Sequence, residues 1–251
     1  MTPAPRQRIT IAGVEVDNLT QDEALATIDT LVRGNRGTYL AVVNAAKVAA
    51  AARDEQLLEV LRRADVVTAD GMSVVWASRL LGRPLKARVT GIDLFDRLVG
   101  HAADRGLSVF FLGARHDSVA SVVRRFEQQH PGLQVAGYRN GYFSAAESAA
   151  VADQIRSTGA DLLFVAMGSP GQEFWIAENL VRTGVRFAMG VGGSFDHLSG
   201  LARRAPEWMQ RAGLEWLYRL LREPRRMWRR YLIGNSLFVW LVAKQRLRPR
   251  H

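Results

Sequence analysis

The sequence predicts an α/β fold: a mostly parallel sheet with helices on both faces, followed by a basic helical appendage. Three observations carry that prediction. Short apolar runs alternate with helical patterns through the first 200 residues, which is how a parallel sheet covered on both sides is written. Glycine or a small polar residue directly follows several of those runs, at Asn44, Asp70-Gly71, Gly113, Gly168 and Gly192-Gly193. The charge is divided unevenly: residues 1–200 hold 21 Lys/Arg and 21 Asp/Glu, whereas residues 201–251 hold 13 and 3. A chain of 251 residues accommodates one large domain, 1–200, and an appendage, 201–251.

In chain order, Ile9–Val16 reads as a short strand. Thr20-Gln21-Asp22-Glu23 is a capping box that opens a helix to about Val32. Tyr39–Val43 is a strand, and a helical stretch follows Asn44 to Arg63. Asp65–Ala69 is a strand, then a helix runs to Leu81. After Gly82-Arg83-Pro84 comes a helix from about Ile92 to Arg105. Ser108–Leu112, Leu133–Ala136, Leu162–Met167 and Arg186–Met189 are the remaining strands. Ser118–Gln129, Ala145–Ser157 and Gln172–Arg182 are the helices between them. The tail reads as two helices, about Glu207–Leu221 and Pro224–Lys244.

Composition excludes several classes. With no cysteine there is no disulfide framework, zinc finger or thiol catalyst. The five histidines are scattered, so no metal site is expected. The start, Met1 to Thr10, lacks the apolar core of a secretory signal. Tyr231–Ala243 is the longest apolar stretch, interrupted by Gly234, Asn235 and Ser236, and it falls short of the ~20 residues a bilayer crossing needs. A cytosolic protein is expected, with binding to a membrane surface left open.

The strand ends hold the candidate site. In open α/β sheets the carboxyl ends of the strands form the ligand crevice. Glycines there let backbone N–H groups approach a phosphate, and helix N-termini favour negative charge. Asp70 has two readings, the N-cap of the following helix or a general base facing the crevice. Arg88 is either a surface ion pair or a holder of phosphate or carboxylate. Asp93 and Asp96 read as first-turn helix charges. Gly168-Ser169-Pro170-Gly171-Gln172-Glu173 places a polar pair at a helix start, where ligand contact is expected. Gly190-Val191-Gly192-Gly193-Ser194-Phe195 is not a dinucleotide fingerprint, because Phe195 stands where the third glycine belongs. No Walker A sequence, GxSxG elbow, HExxH or Asp-x-Asp triplet occurs.

The tail carries Trp208, Trp216, Trp228 and Trp240, four of six tryptophans. Arg225, Arg226, Arg229 and Arg230 recur at helical spacing, ahead of Leu232, Ile233, Leu237, Phe238 and Leu241. That combination describes an interfacial membrane helix, each cation contributing roughly 1 kcal/mol near an anionic leaflet. A solvated charged face backed by a core-packing face is the alternative. Nucleic acid is not the expected partner, since no recognition module is present.

Together these segments resemble the glycosyltransferases of the WecG/TagA/CpsF family. The resemblance runs from about Ile9 to Tyr231. It rests on Thr68–Ser73, Arg88–Asp93, Phe111–Ala114, Gly168–Glu173, Gly190–Asp196, Arg204–Pro206, Leu214–Leu220 and Glu223–Arg226. It implies a Rossmann-like body and an inverting, metal-independent transfer from a UDP-sugar to a sugar on a polyprenyl diphosphate. No cofactor is implied, and the appendage is expected to meet the inner face of the cell membrane. By resemblance, Asp70 is the general base, with Asn44 and Arg88 beside it. Gly71, Gly113, Gly168, Gln172, Glu173, Gly192 and Gly193 are expected to bind substrate, together with Arg219, Arg226 and Arg229 of the appendage. Val42 and Gly171 depart from the Thr and Lys usual at those positions, so UDP-N-acetylmannosamine is not assumed over UDP-glucose or another UDP-hexose. Another nucleotide-using enzyme and a non-enzymatic membrane or nucleic-acid adaptor are the rival readings. Oligomeric state is left open, a homo-oligomer included.

Overall fold

A computed structural model of the chain describes residues 6–34, 36–200, 205–206, 208–209, 214–222 and 224–247; the side chains at 219 and 225–233 lie outside the described set. Six parallel strands form the central sheet: β3 (Thr38–Val43), β4 (Val66–Ala69), β5 (Ser108–Gly113), β6 (Gln134–Arg139), β7 (Leu162–Ala166) and β8 (Phe187–Gly190). Their order across the sheet is β4-β3-β8-β7-β5-β6.

The four interior strands are buried along their whole length apart from half-exposed Ser108, because both faces are covered. Alternate residues feed two separate cores. Tyr39, Ala41, Val43, Phe110, Leu112, Leu163, Val165 and Ala188 point to one side. Leu40, Val42, Val109, Phe111, Leu162, Phe164, Phe187 and Met189 point to the other. On the first side lie α2 (Ala45–Ala51), α3 (Glu55–Arg63), α4 (Met72–Leu80), α7 (Ser148–Ser157) and α8 (Gly171–Thr183). On the second lie α1 (Gln21–Val32), α5 (Gly91–Arg105), α6 (His116–Gln129) and the short α9 (Ser194–Leu198). The second core is aromatic. Phe95 sits 4.6 Å from Phe164, 5.3 Å from Phe126 and 5.8 Å from Phe195, centroid to centroid. Phe195 thereby anchors the end of the glycine loop that starts at Gly190.

The expected helix from Asn44 to Arg63 is two helices. Asn44 caps α2, its Oδ1 accepting from the Lys47 N–H at 3.0 Å, and Asp54 caps α3 in the same way from Leu57 at 3.0 Å. Thr20 and Glu23 close the capping box of α1, with mutual bonds of 3.2 and 2.9 Å. The expected strand Ile9–Val16 is instead a hairpin, β1 (Arg8–Ile11) and β2 (Val14–Asp17). Ala12 and Gly13 take φ of 49° and 89° between them, the backbone of a two-residue I′ turn. The buried Asp17 carboxylate accepts the Val67 N–H at 2.7 Å, so the hairpin covers the β4 edge.

The appendage contributes α10 (Glu215–Arg222) and α11 (Pro224–Leu247). Phe238 and Val242, one turn apart, are buried in the first core, and α11 crosses α2 closely. A Cβ on Gly234 would stand 3.6 Å from the Ala46 Cα. At the far end, Gln245 accepts the Ala12 N–H at 2.7 Å and donates to the Thr10 carbonyl at 2.9 Å. The appendage is thus packed on the body by contacts from the middle of α11 to its C-terminal end. Among the described residues no helix is long and apolar enough to cross a membrane.

Candidate active site

All six carboxyl strand ends border one polar cavity of about 790 Å³. β3 contributes Asn44, β4 Asp70, β5 Ala114, β6 Gly141, β7 Gly168 and β8 Gly192. The first turns of α5 (Gly91, Ile92) and α6 (Ser118) also line it. Such termini present unpaired N–H groups and a partial positive charge, which suits an anion. Ser118 is almost wholly buried, and its Oγ has no hydrogen-bond partner.

One corner is built by Asp70, Arg88, Asn44 and Glu215. The Asp70 N–H extends the sheet by donating to the Val43 carbonyl at 2.9 Å, which fixes the backbone and sends the side chain into the cavity. Asp70 does not cap α4. Gly71 holds that position, and no side chain completes the cap. The Asp70 Oδ1 instead accepts from the Gly91 N–H, at 3.3 Å, at the start of α5. Arg88 Nε donates to the Asp70 carbonyl, and its Nη2 lies 3.8 Å from Asp70 Oδ1. The same Nη2 pairs with the Glu215 carboxylate of α10. Of the two readings of Arg88, the ion pair is therefore present, with an acid of the appendage, inside the cavity.

The opposite wall depends on Gln172. Its Oε1 accepts the Gly192 N–H at 2.9 Å, and its Nε2 donates to Glu173 Oε1 at 3.0 Å. At Gly190 an added Cβ would come within 2.5 Å of the Gln172 Nε2, so any side chain there would displace Gln172 from this wall. Behind Gln172 lies a buried ion pair: Lys47 Nζ donates to Glu173 Oε1 and to the Val42 carbonyl, both at 2.6 Å. Among the described residues, no three His, Cys, Asp or Glu side chains gather as a metal site.

Of the residues singled out from sequence, Asn44, Asp70, Arg88, Gly168, Gln172, Gly192 and Gly193 share the polar cavity. Gly71 lines an adjoining apolar groove instead. Glu173 is buried behind the wall, holding Lys47 rather than facing the cavity. Gly113 does not line it either: at φ 132°, an added Cβ would lie 2.4 Å from the Ala166 carbonyl oxygen, so glycine serves the approach of β5 to β7. The side chains of Arg219, Arg226 and Arg229 lie outside the described residues. Sequence reasoning missed Lys47, Ser118, Tyr142 and Glu215, all lining the cavity. Glu215 lies inside the Leu214–Leu220 segment that carries the resemblance; nothing local marks Lys47, Ser118 or Tyr142.

The profile of the glycosyl transferase WecG/TagA/CpsF family matches residues 9–251. The chain belongs to that family. It is 39% identical over 210 residues to the N-acetylglucosaminyldiphosphoundecaprenol N-acetyl-beta-D-mannosaminyltransferase of Bacillus spizizenii, covering 84% of this chain and 80% of that one. The protein of the same name from Staphylococcus aureus strain MW2 is 31% identical over 239 residues, covering 94% and 92%. In this glycosyltransferase of the family, Val42 and Gly171, the two positions at which the resemblance leads one to expect Thr and Lys, lie in different places. Val42 lines the cavity, whereas Gly171 begins α8 on the exposed surface with no neighbour within 4 Å of an added Cβ. Only the first can touch a ligand in the cavity directly.

Proposed function

We propose that the chain moves a hexose or N-acetylhexosamine from a UDP-sugar to the sugar of a polyprenyl-diphosphate acceptor, inverting the anomeric centre and using no metal. The observation that carries this reading is the position of the Asp70 carboxylate beside Arg88, where the polar cavity meets an apolar groove. The relatives' names describe transfer of N-acetylmannosamine to N-acetylglucosaminyl diphosphoundecaprenol, so UDP-N-acetylmannosamine is the first donor to test. The donor occupies the polar cavity with its diphosphate toward the helix N-termini. Asp70 removes the proton of the acceptor hydroxyl as that oxygen attacks the anomeric carbon from the face opposite UDP. Backbone N–H groups, the helix N-termini and the appendage arginines 219, 226 and 229 meet the charge that develops on the leaving diphosphate. The sequence supports metal independence, since it has no Asp-x-Asp triplet to hold an ion beside a nucleotide diphosphate. Residues 1–200 act as the catalytic body and 201–251 as the segment that meets the anionic inner membrane surface.

The test is purified full-length protein, a polyprenyl-diphosphate N-acetylglucosamine acceptor and a panel of UDP-sugars, with and without EDTA. An inverted product formed in EDTA supports the reading. Retention of anomeric configuration, or strict dependence on a divalent ion, overturns it.

A further inference from the structure

A second opening of about 570 Å³ adjoins the polar cavity and shares Asn44, Asp70, Arg88 and Glu215 with it. Its character is opposite. Among the described residues, no charged side chain lines it beyond Asp70, Arg88 and Glu215 at the shared mouth. One wall is α4, where Trp76 and Leu80 stand one turn apart on the same face, 48% and 58% exposed. The other wall belongs to the appendage, with Trp216 on α10 and Val239 on α11, 40% and 64% exposed. Ala46 of α2 forms part of the floor. Large apolar side chains left facing one another across a groove mark a binding surface rather than a solvated one.

We propose that this groove holds the proximal isoprene units of the acceptor's polyprenyl chain. The inference rests on the transfer reading above and adds the place of the lipid. The chemistry of a polyprenyl-diphosphate sugar makes three demands in sequence along one molecule. Its sugar hydroxyl must reach Asp70, its diphosphate needs a cation close by, and its hydrocarbon must leave through apolar surface. Asp70 and Arg88 stand together at the mouth that the polar cavity shares with the groove bounded by Trp76, Leu80, Trp216 and Val239, so the three demands are met side by side. Since α4 supplies one wall and the appendage the other, the lipid path exists only while the appendage is docked.

Isothermal titration of the full chain with farnesyl diphosphate and with inorganic diphosphate, free of detergent, tests the proposal. Wild type is expected to bind farnesyl diphosphate at least tenfold more tightly. Leu80→Asp and Val239→Asp, exposed positions on opposite walls, are expected each to remove most of that margin while moving the inorganic diphosphate affinity less than twofold. Circular dichroism and Tm establish that both variants fold. Equal wild-type affinities for the two probes overturn the proposal. So do variants that keep the margin but lose co-sedimentation with phosphatidylglycerol vesicles, since the face would then lie on the bilayer. Variants that keep the margin but turn a self-associated wild type into monomers overturn it as well, because a second copy would cover the groove. Product formation is assayed separately: a margin without sugar transfer supports the groove and removes the transferase reading. Transfer without a margin does the reverse.

Discussion

Arg88 and Glu215, 127 residues apart in the chain, form an ion pair in which both side chains are mostly buried, at 16% and 17% exposure. The pair joins the appendage to the corner where Asp70 stands. Glu215→Gln keeps the shape and removes the charge that pairs with Arg88, whose Nη2 stands 3.8 Å from the Asp70 carboxylate. We expect a loss of about 1–3 kcal/mol in unfolding free energy, faster limited proteolysis of the appendage, and lower kcat/KM. Urea denaturation and proteolysis read the first two. Unaltered proteolysis would show that the pair does not hold the appendage.

Asp70→Asn conserves volume and can still accept the Gly91 N–H, so the corner should persist. Loss of the base is expected to lower kcat by about 10²–10⁴, with the donor Kd within a fewfold of wild type. Near-normal turnover would remove Asp70 from the base role.

Lys47 and Glu173 are 7% and 4% exposed, and each is the other's partner. Removing one leaves an uncompensated buried charge. Lys47→Met or Glu173→Leu should each cost about 3–5 kcal/mol. The double variant should recover part of that loss, which a double-mutant cycle by denaturant titration measures. Because Gln172 donates to Glu173 and accepts from Gly192, donor KM should rise as well.

Two glycines separate packing from ligand approach. Gly113→Ala combines a positive φ with a backbone collision at Ala166, and a drop in Tm equivalent to more than about 2 kcal/mol is expected. Gly193→Ala meets nothing within 4 Å and has φ −76°, so the fold should tolerate it. A change in donor affinity without a change in Tm would assign Gly193 to the ligand.

Asp29 makes one pH dependence predictable. Burial disfavours its charge, but hydrogen bonds from His101 at 2.7 Å and Arg33 at 2.6 Å outweigh that and hold its pKa below the ordinary 3.8. Its contribution to stability is therefore present above the unfolded value and lost as pH falls below it. Asp29→Asn should flatten the fall in Tm between about pH 4 and pH 2, and an unchanged slope would refute the assignment.

Local signals located most elements because each is governed by neighbours in sequence. Thr20 and Glu23 announced a capping box, and the run Tyr39–Val43 announced a fully buried strand. The same reasoning failed where two local interpretations were equally allowed. Ala12-Gly13 is locally compatible with a continuous strand, yet its positive φ values make a turn. Locally Asp70 fits both a cap and a base, and the structure gives the cap position of α4 to Gly71 while the Asp70 N–H bonds the Val43 carbonyl. Glu173 at a helix start and Gly113 at a strand end both read as ligand contacts, yet one is turned inward to Lys47 and the other is closed off by Ala166.

The amino-acid order alone determined the α/β alternation, the glycine-rich strand ends and the separation of a neutral body from a cationic tail, since periodicity, turn chemistry and charge are properties of short segments. Tertiary structure alone decided which residues meet. Glu215 reaches Arg88, Lys47 reaches Glu173, and α4 faces α10 and α11 across an apolar groove. Those contacts join residues far apart in the chain, and they arise from the parallel sheet order and from Phe238 and Val242 seating α11 on the body.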